Sequence, residues 1–241
     1  LDFSKQDTAP TNDGVFTVDI HTGAKRLLVS YKQMDDALKK HDMHTPHTGL
    51  FVNHTLVNRD SNRLYFFARA NWTRMPHEKE KGERLNIPFT VNLDGSNLTL
   101  HKQHIGGHPE WDEGPVMIGS VKQDGQPQQI RYDTNTQQII GRLGDAKMFP
   151  KPEGDVALSP DANWFVNGYR PNKESTKNFF AVYHRPTGAF ALSPGVYKGP
   201  YSKNRDVRID PAPRWNRTHD KILTPGLDKN NRRQMFLIEI K

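Results

Sequence analysis

Between Val15 and Leu28 apolar and polar residues alternate on both sides of a His-Thr-Gly turn, the period-2 pattern of two half-buried strands joined tightly. The same pattern returns at Pro88 to Leu100, Gln129 to Ile140 and Phe180 to Leu192, and a last copy from Met235 stops after one strand. A second half-repeat begins at His54 to Phe67 and recurs at His108 to Ile118, Asp155 to Val166 and Ala212 to Leu223. Val57, Trp111, Leu158 and Trp215 hold the same place in its copies. Its turns are Ser-Pro-Asp or variants of it, in which Asp or Asn bonds nearby backbone and Pro presets the bend. Helical periodicity is confined to Tyr31 to Lys40.

Strand, tight turn, strand, loop, strand, turn, strand, repeating every 40 to 55 residues, predicts blades of a propeller. The predicted class is all-β: a β-propeller with four-stranded antiparallel blades, one domain over 1–241. It comprises a partial first blade at 12–30 and blades at about 50–101, 104–143, 153–193 and 206–241. Joined ends complete only four blades and leave a surplus strand. The expectation is therefore an incomplete part of a ring of about six or seven blades, lacking N-terminal ones, with a compact ring of four or five as the alternative.

Composition narrows the choice of partner. Apolar residues are 34% and charged residues 25%, which suits a globular chain. The longest apolar runs are far below the roughly 20 residues that span a bilayer, so no membrane association is expected. Cysteine is absent, which removes disulfides, thiolate nucleophiles and Cys-rich zinc sites. The net charge of +7 suits an anionic partner. No basic arm or recognition signature points to nucleic acid, so an acidic polysaccharide is the expected partner. A Cys-free chain that starts at Leu1 without Met fits a processed, secreted or periplasmic product.

In a propeller the loops entering each innermost strand and those following the second strand share one face. Sorted this way, His41, His44, His47, His54, His77, His101, His104 and His108 fall on that face, whereas His21, His184 and His219 fall in tight turns. His54 and His108 both stand three residues before their aligned anchors, where Asp155 and Ala212 stand in the next blades. Neighbouring innermost strands are thus expected to aim two imidazoles and a carboxylate into the channel mouth. Strand capping is the bland alternative. Arg69 and Arg170 each lie twelve residues past an anchor, and Tyr169 precedes the second. Tyr201 and Arg208 occupy further loops of the same face. Arg and Tyr suit a sugar carboxylate, offering a planar fork and a stacking or proton-donating ring. His41, His44 and His47 give short imidazole spacing for a divalent metal, with zinc, manganese and calcium all open, although no strong zinc motif results. A His-rich loop is the bland reading. No phosphate loop, dinucleotide fingerprint or Gly-x-Ser-x-Gly elbow occurs.

The segments Gly107 to Trp111, Ala157 to Asp161, Asp210 to Arg217 and Arg233 to Glu239 resemble the propellers of bacterial polysaccharide lyases. These are the oligogalacturonate lyases and, more closely, the ulvan lyases, whose repeats are shared with TolB-type propellers. The resemblance runs over most of the chain from Val15 onward. It implies β-elimination at a uronic acid by His, Tyr and Arg, with a divalent metal in many members. Those roles transfer to His54, His108, Tyr169 and Arg170. The chain departs from the family at Ala212, where several members carry His, and this puts a metal role there in doubt. A non-catalytic TolB-like propeller binding acidic glycan or protein, and a propeller glycoside hydrolase using Asp155, Asp206 or Asp210, are the competing readings.

Overall fold

A computed structural model describes residues 7–45, 49–71, 83–199 and 208–240. The chain forms two compact units, Leu1–His104 and Ile105–Lys241. The first contains β1 (Gly14–Val18), β2 (Lys25–Ser30), α1 (Tyr31–Lys40), β3 (Phe51–Val57), β4 (Arg63–Ala70), β5 (Leu85–Asn92) and β6 (Thr99–Leu100). The second contains β7 (Gly106–Trp111), β8 (Val116–Gln123), β9 (Gln126–Asp133), β10 (Gln138–Arg142), β11 (Val156–Leu158), β12 (Trp164–Tyr169), β13 (Lys177–His184) and β14 (Phe190–Leu192). It continues with β15 (Val196–Tyr197), β16 (Arg214–Trp215), β17 (Lys221–Leu227) and β18 (Arg233–Glu239).

Strands that follow one another in the chain pair antiparallel, giving sheets β3 to β6, β7 to β10, β11 to β14 and β16 to β18, with β15 added beside β13. These four meander sheets are propeller blades, as the alternation requires. The anchors Val57, Trp111, Leu158 and Trp215 each end the first strand of a blade, so the sequence repeat is a structural register. Its burial is not repeated: Trp111 is 1% exposed and Val57 51%.

Turn chemistry fixes the strand ends. Asp19 Oδ1 accepts from the backbone N–H groups of His21 and Thr22, Asp133 Oδ1 from those of Asn135 and Thr136, and Asp228 Oδ1 from those of Asn230 and Arg232. Helix α1 opens on a capping box, in which Ser30 and Gln33 each accept a backbone N–H from the other. Met34 and Leu38, one turn apart, are fully buried among Leu28, Leu64, Phe66 and Phe89.

In the second unit the first strands β7, β11 and β16 neighbour one another in that order, as innermost strands of adjoining blades do. Val166, Phe180 and Ile222 are buried together between two of these blades, with Trp164 and Trp215 packed against them. Asp112, fully buried after β7, accepts from Arg131 of its own blade at 2.9 Å and from both terminal nitrogens of Arg185 in the next, at 2.8 and 2.9 Å. A buried carboxylate is tolerated only with such pairing, so it also fixes how the two blades meet.

Candidate functional site

The entries to β11 and β16 lie beside the end of β12, where the backbone packs with almost no room for side chains. A Cβ on Gly154 would lie 1.7 Å from the Gly168 carbonyl oxygen, and one on Gly168 would lie 2.3 Å from that of Pro211. Two buried amides hold the loops in place. Gln129 of β9 donates to the Pro152 carbonyl at 2.8 Å and to Asn167 at 3.1 Å, and Asn178 of β13 donates to the Ile209 carbonyl at 3.2 Å.

Above this floor a cleft of about 360 Å³ is lined by His108, Lys151, Glu153, Asp155, Tyr169, Arg170, Arg208 and Asp210, with Gly154 and Pro211. Six residues named from sequence thus come together: His108, Asp155, Tyr169, Arg170, Arg208 and Asp210. His108 turns Nδ1 onto Asp155 Oδ1, and the two residues also share a parallel bridge between their blades. The His108 side chain is 45% exposed and that of Asp155 13%. An Nδ1–H directed at this carboxylate puts the ring's lone pair on Nε2. Tyr169 is 8% exposed, and burial raises its phenol, which therefore keeps its proton at neutral pH. Arg208 donates to Asp210 Oδ2 through Nε at 2.9 Å and Nη2 at 2.7 Å. Lys198 lies buried nearby, its ammonium disfavoured first by desolvation and then by Arg170, with Asp210 opposing both.

Sequence reasoning passed over Lys151, Glu153 and Lys198. The first two sit in the loop entering β11, the class of loop that the face rule already singles out. Lys198 follows the two-residue β15 and carries no repeat signal.

His54 and Arg69 belong to the first unit and gather around another ring. Phe67 meets His54 edge-on at 5.9 Å, His104 at 5.5 Å and the Arg69 guanidinium at 5.2 Å, while Arg69 Nε donates to Asn86 at 2.7 Å. His54 takes a left-handed backbone, φ 56°, inside an irregularity of β3 between Asn53 and Leu56. His101, sorted by sequence onto the loop-bearing face, is instead fully buried with Nε2 2.9 Å from Thr90 Oγ1. Burial, then Arg63, pushes its pKa down to about 4.

Of the suggested metal ligands, His44 places Nε2 3.3 Å from Asp35 Oδ1, and Asp35 also holds Lys39 at 2.6 Å. His47 and the sugar-binding candidate Tyr201 lie outside the described residues. Among the described residues no three His, Asp or Glu gather as metal ligands.

No known family's sequence model matches the chain, and no curated protein matches it. Its fold has clear counterparts. An oligogalacturonate lyase from Vibrio parahaemolyticus aligns over 94% of this chain and 54% of its own, with TM-score 0.61 and 18% identity. TolB from Acinetobacter baumannii aligns over 93% of this chain and 45% of its own, with TM-score 0.59 and 16% identity. A puromycin hydrolase aligns over 91% of this chain and 29% of its own, with TM-score 0.56 and 13% identity. These likenesses define the class as β-propeller. The chain spans about half the length of the TolB and lyase structures. Among the described residues no helix is long and apolar enough to cross a membrane.

Proposed function

We propose that the cleft of the second unit binds a uronate-containing acidic polysaccharide, and that the protein cleaves it by β-elimination outside the cytoplasm, secreted or in the periplasm. One observation carries this reading: His108, Tyr169, Arg170 and Arg208 line a single cleft. Elimination needs a neutralised carboxylate, a base for the proton on C5 and an acid for the departing oxygen. Arg170 supplies a forked donor for the carboxylate and Arg208 the N–H groups not turned to Asp210, which makes the C5 proton more acidic. His108, oriented by Asp155, accepts that proton. The electron pair left on C5 forms the C4–C5 double bond as the C4–O bond breaks, and the Tyr169 phenol gives its proton to the leaving oxygen. No step is routed through a metal. The likeness to an oligogalacturonate lyase supports the substrate class, and the likeness to TolB supports binding without chemistry as the second reading.

The test is absorbance of the unsaturated uronate on incubation with polygalacturonate or ulvan. We expect a rise with the native chain, and its loss in His108→Ala and Tyr169→Phe with unfolding temperatures unchanged. New reducing ends without absorbance would replace elimination by hydrolysis, and binding without either product would leave a glycan-binding module. Full activity in both variants would remove the assigned roles.

A further inference from the structure

We propose that the cleft continues past the Arg208–Asp210 pair into a second subsite, where Arg233 takes the carboxylate of a neighbouring sugar. The proposal rests on the uronate reading above and adds to it the length of chain recognised. A second cavity, of about 460 Å³, is lined by Arg208, Asp210, Ala212, Gly226, Arg233 and Met235 among others. Arg208 and Asp210 line both cavities, so the two share a wall. That wall is the Arg208–Asp210 ion pair with the buried Ile209 between the two residues. Arg208 is 48% exposed in its side chain and Asp210 33%.

The far side has the chemistry of an acidic sugar site. Arg233 and Met235 are two apart on β18, paired with Leu227 and Pro225 of β17, and therefore project to the same side of the sheet. Arg233 is exposed and forms no ion pair among the described residues. Its guanidinium is a planar fork for a carboxylate. Met235, 58% exposed, offers an apolar surface to the C–H face of a sugar ring. Ala212 lines the second cavity and adds little bulk there. With Arg170 and Arg208 on one side and Arg233 on the other, the groove presents cations to carboxylates on separate sugars. Its ligand is accordingly an oligomer of acidic sugars, not a single one.

The experiment is calorimetric titration of galacturonate oligomers, from dimer to hexamer, into the native chain and Arg233→Gln. Native affinity should rise with length. Arg233→Gln should bind the single sugar galacturonate, titrated alongside, as the native chain does, and the dimer and longer oligomers about tenfold more weakly, the lower end of what a charged hydrogen bond contributes. Equal binding by variant and native chain at every length would overturn the subsite while leaving the uronate cleft intact. A native chain that binds no oligomer of any length would overturn both.

Discussion

His101 should make the first unit lose stability on mild acidification. Its ring is fully buried against Thr90, and its pKa falls from an ordinary 6.5 to about 4. Above about pH 6.5 both folded and unfolded chains hold it neutral, and its contribution to stability is complete. As the pH falls from about 6.5 toward about 4, the unfolded chain takes up a proton that the folded chain refuses, so stability drops by about 1.4 kcal/mol per pH unit. Below about 4 the folded chain is protonated as well, and the loss levels off near 3 kcal/mol in total. The assay is urea unfolding across this window for the native chain and His101→Gln. Glutamine keeps a hydrogen-bonding group for Thr90 but does not titrate. The variant's stability should be flatter with pH than that of the native chain by about 3 kcal/mol between the two limits. Parallel curves for the two proteins would refute the assignment of a buried neutral imidazole, as would a native His101 that titrates near pH 6.5 by NMR.

Other positions give equally direct outcomes. Gly154→Ala sets a methyl against the Gly168 carbonyl and should cost about 3 kcal/mol in urea unfolding, at the upper end of overpacking effects. Asp112→Ala leaves two arginines facing an emptied buried site and should cost about 3 kcal/mol, whereas a change under about 0.5 kcal/mol would show that the inter-blade pair is dispensable. Gln129→Leu breaks the bonds to Pro152 and Asn167 and should cost about 2 kcal/mol. It should also weaken oligouronate binding, measured by calorimetry, although Gln129 does not line the cleft.

Period-2 alternation and Asx-type turns act between residues a few positions apart, so the blades, their shared register and the helix Tyr31–Lys40 were legible from the chain alone. The same register put His108 beside Asp155, because adjoining first strands of equal phase bring equivalent positions together. Phase also makes His54 equivalent to His108, and each lies inside a register irregularity of its first strand, but His54 takes a left-handed backbone and lays its ring on Phe67. A left-handed backbone in one copy depends on the surrounding packing and leaves no mark in the repeat. Burial was hidden for a related reason: the face rule counts loops, and it cannot tell that Pro88 and Thr90 draw His101 inward. The cleft needed the tertiary structure most. It is assembled from the loop at 151–155, the end of β12 and the stretch at 208–211, distant in sequence and brought together by the packing of adjacent blades. Which side chains lie on its wall is settled by backbone approaches as close as those at Gly154 and Gly168, which no local pattern encodes.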